Sequence, residues 1–409
     1  MAWSGVFALV LPAALAIAQE DAETPTWEQT QGRAYRSFLA GTERPAPSTF
    51  PGVFRQPPVP HWRARLPGGR LNAATHTERA RPIVDGSSIF VGSASGDALY
   101  EVSRTNGTVI REFPAASSVE SEPILAGDLI LFADTGGVTW AYERDGSLRW
   151  RHDSAAPVLV RPTLDEGRGT LYITNVDDLV VALDAATGEL QWQHQQRPDL
   201  SRRTALSLYG APPAVILGDE VLVGFSDGSI VGLEAETGEV AWQQRVGEGA
   251  YPDVIAEPAV LKDVILSSGY FEPLVALERE DRTVRWRMPY GAAAGSTLVT
   301  APSGDTWLLH PGTDGVLRAI ETANGLVVWS WGEDREQGAL SRPTIAGDRV
   351  LIGDAEGTVT MLQLADGREV WSHEPRYHLS GVTVAPTVDG RQLVFVTNAG
   401  FLVSMLSPQ

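Results

Sequence analysis

The feature that most constrains this chain is a phrase that recurs along it and ends in tryptophan. ALDAATGELQW (182 to 192), GLEAETGEVAW (232 to 242) and AIETANGLVVW (319 to 329) each join an apolar strand to a turn whose Gly stands four residues before the Trp. The closing tryptophans are Trp150, Trp192, Trp242, Trp286, Trp329 and Trp371, spaced by 42, 50, 44, 43 and 42 residues. Self-similarity at a period near 40 to 45 residues is the signature of a blade repeat, in which one unit cannot bury its apolar faces alone. Opening prolines at Pro82, Pro123, Pro162, Pro213, Pro258, Pro343 and Pro386 keep step, and the repeat closing at Trp329 has Thr297 near that point. Eight units of about four short strands result, so the sequence predicts an all-β fold, an eight-bladed β-propeller of antiparallel blades.

Each part of the phrase has a physical use. Gly146, Gly188, Gly238, Gly325 and Gly367 fall where a tight hairpin wants a positive φ, which a residue with a Cβ adopts at a cost of about 1 kcal/mol or more. The Trp that follows lies on the outer strand, where a wide flat ring can wedge against the neighbouring blade and bury roughly 150 to 250 Å². Two units depart from the rule: Arg282 stands at a Gly position, predicting a different turn, and Arg111 stands at a Trp position, predicting weaker or different docking.

The ends of the array predict how it closes. The last unit runs from Pro386 through three strands and lacks a Gly turn and a Trp of its own. VPHWRARLP, with Trp62, has the right character for the missing outer strand, which would close the ring and remove two sheet edges. Trp62 therefore joins the other closing tryptophans as an expected blade-docking residue. The expected organisation is a signal peptide over 1–18, a Pro-rich linker over 19–60 and the propeller over 61–409.

Residues 5 to 18 (GVFALVLPAALAIA) have the length of a secretory apolar segment, and Ala16-Ile17-Ala18 offers a small-x-small cleavage site before Gln19. The chain contains no cysteine, which excludes disulfides, thiol catalysis and a lipidated N-terminal Cys, so no lipid anchor of its own is expected. A periplasmic location follows, with secretion as the alternative. The formal charge of −19 argues against nucleic acid as a partner, because phosphate binding needs a basic stripe.

Local motifs read as turns. Gly224-Phe225-Ser226-Asp227-Gly228 matches the G-x-S-x-G pattern of a nucleophile elbow, but that chemistry needs a strand-to-helix turn and here two strands flank it. The equivalent stretches ADTGG, GDAEG and TNAG in other units are hairpins of the same kind. The seven histidines show no H-x-x-x-H spacing, so no metal site and no catalytic set is expected. Asn106-Gly107-Thr108, although a formal glycosylation sequon, also reads as a hairpin. The interval from Trp192 to Trp242 carries roughly eight extra residues near RPDLSRRTALSLYGAPP, and a long connection in a regular array is a candidate binding element. Its Leu206, Leu208 and Tyr209 are either anchors for a partner or members of the innermost strand.

The A-L-D-A-x-T-G-x-x-x-W phrase resembles the repeat of quinoprotein-type propellers. From Trp62 onward the chain resembles the BamB family of outer-membrane protein assembly factors. The stretches that carry this likeness are Leu340-Ser341-Arg342-Pro343-Thr344, Gly353-Asp354-Ala355-Glu356-Gly357 and the ending from Pro386 to Leu406. The resemblance implies a non-enzymatic, monomeric scaffold without a cofactor. Its implied partners are POTRA domains of the barrel-forming subunit and unfolded outer-membrane proteins, met at the inner face of the outer membrane. The family's Leu-x-Leu-Arg-Gly contact motif falls on Leu206 to Gly210 with Tyr209 in place of Arg, and its Asp-Val-Asp segment falls on Asp253-Val254-Ile255. The resemblance thus makes Leu206, Leu208, Tyr209 and Asp253 the partner-binding residues. A quinone-dependent dehydrogenase and a secreted ligand-binding propeller are the alternatives.

Overall fold

The computed structural model describes residues 54, 56–68, 79–196, 211–247, 249, 252–292, 294–334, 338–374 and 384–408. The expected signal peptide and the segment holding Leu206, Leu208 and Tyr209 lie outside the described residues. The described residues form 32 strands in eight four-stranded antiparallel sheets. The chain is an eight-bladed β-propeller. In blades 1 to 7 the strands follow chain order from the axis outward, as in Thr163–Asp165, Thr170–Thr174, Leu179–Asp184 and Leu190–Gln195 of blade 3.

Blade 8 is built from both ends of the chain. Val59–Arg65 pairs antiparallel with Phe401–Leu406, and the sheet continues through Gln392–Thr397 to Thr387–Asp389. Ring closure by the strand around Trp62 is as the sequence predicts. The closing segment also reaches further upstream than residue 61. Val59 and Pro60 pair with Leu406 and Met405, and Phe54, only 2% exposed, packs with Phe395, Met405 and Trp371. One apolar residue in a Pro-rich stretch carries no periodicity, which is why sequence pattern passes over it.

The core lies between blades rather than inside them. One cluster joins Tyr172, Val180 and Trp192 of blade 3 to Val221, Val223 and Phe225 of the blade 4 side, and another joins Ile89, Val91 and Tyr100 to Val394, Val396 and Leu402. Middle strands are therefore buried on both faces, and read as continuous apolar runs such as SIFV and VLVG. Outer strands such as LQWQHQ bury little besides the Trp.

The closing tryptophans bridge each blade to the next. The indole N–H of Trp62 donates to the Arg104 carbonyl (2.9 Å), Trp150 to Ala185 (3.1 Å), Trp192 to Ala235 (2.9 Å), Trp286 to Thr322 (3.0 Å) and Trp329 to Leu364 (2.9 Å). Each acceptor stands three residues before the next blade's turn glycine, and the ring lies flat on that glycine. A Cβ on Gly188 would come within 2.6 Å of the Trp150 ring, and one on Gly238 within 2.4 Å of Trp192. Glycine is thus required twice at these turns, for a φ of +74° or +72° and for the close approach of the indole.

One of the two departures resolves differently from the expectation. Arg282 takes up the same turn as the glycines, with φ 65° and its N–H donating to the Glu278 carbonyl at 2.9 Å, as Gly188 does to Asp184 at 2.8 Å. The expectation of a different turn is corrected: the hydrogen bonds hold the backbone, and the guanidinium stacks 4.3 Å from the Trp242 ring, a cation–π contact that offsets the strain. Trp242 donates to the Glu220 carboxylate at 2.7 Å instead of to a carbonyl of the next blade. The turn that does differ is that of Gly146, which closes one residue shorter onto Glu143 at 2.9 Å. Arg111, in the Trp position, approaches that turn, with its Nη1 3.1 Å from where a Gly146 Cβ would stand.

Candidate functional site

The hydrogen bonds divide the turns between two faces. The outermost turns bond to the innermost hairpins, as Ala185 N–H does to Gly169 O and Ala235 N–H to Asp219 O, both among the residues of one face. The middle hairpins bond to the interblade connections on the other face, as Val176 N–H does to Pro157 O and Val254 N–H to Phe225 O. The strands on either side of residues 197–210, Leu190–Gln195 of blade 3 and Val215–Leu217 of blade 4, end and begin on this second face.

At the foot of that connection the middle hairpins of blades 3 and 4 are joined by an unusual residue. Gly137, Gly228, Gly315, Gly357 and Gly400 occupy the positive-φ position of their middle hairpins, whereas blade 3 places Asp178 there with φ 58°. Asp is among the residues that tolerate this conformation best. It points the carboxylate across the blade boundary, where it accepts the Ser226 N–H at 3.0 Å and the Ser226 hydroxyl. Gln196, the last described residue before the connection, donates to Asp227 at 2.9 Å. Burial pushes Asp178 up to about 6, with Asp227 and Asp253 adding to the rise and the two Ser226 bonds opposing it.

The sign of this shift sets a pH dependence. With a folded-state value above that of a free aspartate, Asp178 favours folding most below the free aspartate range, and that contribution is lost as pH rises through about 6. Asp178→Asn should therefore raise the denaturation midpoint at pH 8 and leave it unchanged at pH 4. Two pH units at roughly 1.4 kcal/mol each cap the gain at about 3 kcal/mol. Urea titrations of both proteins at the two pH values check this; a variant less stable at pH 8 would show that the ionised carboxylate holds the hairpins together.

The G-x-S-x-G segment is a hairpin between Glu220–Gly224 and Ser229–Glu234, and its Ser226 hydroxyl is engaged by a carboxylate. Asp253, expected at a contact surface, is only 1% exposed. It faces the Asp178 cluster, and its carbonyl accepts the Tyr270 N–H at 3.2 Å. Asp253 thus shapes the second face from beneath. Beside it stands a residue that the sequence reading passed over. Phe271 is 62% exposed and is the only aromatic among the large exposed apolar residues described. Its ring meets Tyr270 edge-on at 4.3 Å, and the adjacent Glu272 accepts the Gly249 N–H at 2.7 Å, so the loop is tied on both sides. The remaining exposed apolar residues, such as Leu148, Leu190 and Val240, sit at the starts of outer strands.

A second cluster that pattern-reading missed lies at the axis. Arg81, Glu122, Arg161, Glu257 and Arg342 are 2% to 8% exposed, and each immediately precedes an opening proline. Glu257 takes Arg161 on one oxygen at 2.8 Å and Arg342 on the other at 3.1 Å, bridging blades 3, 5 and 7. Arg81 donates to the Thr387 hydroxyl at 3.2 Å and the Pro386 carbonyl at 3.3 Å, across the seam between blades 1 and 8. Threonine hydroxyls of the inner strands complete the ring, with Thr163 donating to Ala214 O, Thr297 to Pro343 O, Thr344 to Pro386 O and Thr387 to Pro82 O. The signal was present in the sequence as a charged residue before five opening prolines.

Eight blades, seven of them closed by a Trp and one by Arg111, around a charged axis define a propeller of the PQQ-repeat class. Within that class, the family model described as outer membrane protein assembly factor BamB matches residues 114–253 and 251–407, and the chain belongs to that family. It is 25% identical over 374 residues to the outer membrane protein assembly factor BamB of Yersinia pestis, covering 86% of this chain and 90% of the relative. The protein of that name from Bordetella pertussis is 25% identical over 296 residues, 70% of this chain and 73% of the relative. Among solved structures, BamB from Moraxella catarrhalis superposes with a TM-score of 0.70 at 18% identity, over 86% of this chain and 100% of that one. A quinohemoprotein alcohol dehydrogenase from Pseudomonas putida shares the fold, with a TM-score of 0.63 at 14% identity over 86% of this chain and 76% of that one.

Proposed function

We propose that this propeller is a non-enzymatic scaffold for outer-membrane protein assembly. It works in the periplasm at the inner face of the outer membrane and binds POTRA domains of the barrel-forming subunit. The observation that carries the proposal is family membership across nearly the whole propeller, at 114–253 and 251–407. The face that bears the interblade connections is the docking side. Leu206, Leu208 and Tyr209 make direct contact with the partner, Phe271 supplies an exposed aromatic anchor on this face, and Asp253 supports the surface from below. Interfaces of this kind concentrate their energy in a few apolar and aromatic anchors.

Co-purification from solubilised envelopes tests the proposal. The full-length protein should recover the barrel-forming subunit, and Leu208→Asp should reduce recovery at least tenfold, equivalent to about 1.4 kcal/mol of binding free energy. Thermal denaturation of the same variant separates lost binding from lost folding. Unchanged recovery with a folded variant would remove this surface from consideration, and failure of the unaltered protein to recover the subunit would remove the partner.

A further inference from the structure

The axial charges carry an inference that does not depend on the partner. Three guanidiniums, Arg81, Arg161 and Arg342, share the axis with two carboxylates, Glu122 and Glu257. The carboxylates are not equivalent. Glu257 has an Arg in contact with each of its oxygens, at 2.8 and 3.1 Å. Glu122 is 2% exposed and its Oε2 makes no hydrogen bond. An ionised carboxylate with a buried oxygen that accepts no hydrogen bond is far more costly than a neutral one, so the carboxylate with fewer ion pairs is the one that keeps a proton. Burial raises Glu122 above the usual carboxylate range, against the opposing fields of Arg81, Arg161 and Arg342, and Glu257 adds to the rise. Burial acts in the same direction on Glu257, but its two ion pairs oppose it in direct contact.

We propose that Glu122 is a proton-binding site on the propeller axis, neutral in the arrangement seen, and that it competes with Glu257 for the guanidiniums of Arg161 and Arg342. When Glu122 loses its proton, the new charge draws guanidinium groups from their present partners. Those partners are Glu257, which joins blades 3, 5 and 7, and Thr387 and Pro386, which receive Arg81 across the closing seam. The groups around Glu122 that respond are thus Arg81, Arg161, Arg342 and Glu257. The axis acts as one proton-linked unit that sets how firmly the blades close.

Infrared spectroscopy of the full chain in D₂O, followed as a function of pH, tests this through the absorption of protonated carboxyl groups. In an Asp178→Asn background, a protonated-carboxyl band should persist well above the ordinary glutamate range near pH 4.3, and Glu122→Gln should remove one carboxyl's intensity from it, leaving the contributions of the other raised carboxyls such as Asp354 and Glu166. Glu257→Gln, with Glu122 intact, should lose that intensity at neutral pH, because Glu122 then ionises to serve the released guanidiniums. Denaturation should show Glu122→Gln at least as stable as the parent above the titration midpoint. A band whose intensity is unchanged by Glu122→Gln, or by Glu257→Gln, would overturn the proposal. If Glu122→Gln fails to fold, Glu122→Asp retains a titratable group and should move the band's midpoint; an unmoved midpoint would equally overturn it.

Discussion

Replacing Glu257 by glutamine is expected to lower the stability of the propeller by about 3 to 5 kcal/mol, the range for breaking a buried ion pair from one side. The large effect comes from what remains. Arg161 and Arg342, each with a side chain 5% exposed, keep their charges and lose the carboxylate that satisfies them at 2.8 and 3.1 Å. Glutamine can offer only its carbonyl oxygen to one of the two guanidiniums, and its amide turns two more donors toward the other. Transfer of ionisation to Glu122 would reduce the cost toward the lower end of the range. A useful control is Arg149→Ala, which removes a 3.2 Å pair with Glu143 from a side chain that is 56% exposed. Exposed pairs contribute about 0 to 1 kcal/mol, so the control should denature almost as the parent does. Equal urea midpoints for Glu257→Gln and Arg149→Ala would show that the axial bridge contributes nothing to stability.

Trp62→Ala is expected to cost about 3 kcal/mol, the lower end of the range for truncating a buried Trp, because this ring is half-buried where Trp192 and Trp329 are 8% exposed. The indole lies against Gly107 of blade 1 while its strand pairs with Phe401–Leu406 of blade 8, so this side chain is one of those that tie the last blade to the first. The Arg104 carbonyl that loses the indole N–H still accepts from the Gln392 side chain at 3.2 Å, and the Arg104 guanidinium still pairs with Asp389. The cost is therefore one of lost packing more than of an orphaned acceptor. Chemical denaturation with tryptophan fluorescence measures it. An unchanged midpoint would mean that the antiparallel ladder from Val59 to Arg65 closes the ring without help from the ring system.

Much of this architecture is legible in the residues. The Gly188 and Trp192 type of spacing encodes the blade because two local requirements, a positive φ and a wide ring four residues later, recur in every unit that keeps them. Chain closure by the Trp62 strand was legible for a related reason, since the last unit lacks an outer strand and only one segment elsewhere has that character. Arg282 was not legible. A propensity argument sees a residue that resists positive φ, but it cannot see Trp242 lying beneath the guanidinium. Phe54 and Phe271 escaped because isolated apolar residues in loops have no period to reveal whether they point inward or outward.

The candidate site divides in the same way. The long connection stands out in the sequence as an insertion, and the resemblance assigns residues to it, whereas Asp178 and Ser226 stand 48 residues apart and meet only because adjacent blades bring equivalent hairpins side by side. The sequence by itself determined the repeat, the number of blades and the means of closure, since each rests on contacts encoded within one unit and copied along the chain. Only the tertiary structure decided which residues converge. Curling eight blades about one axis brings Arg161, Glu257 and Arg342, which lie 96 and 85 residues apart along the chain, into one ion-paired group. It also puts Asp253 beneath the surface and leaves Phe271 on it.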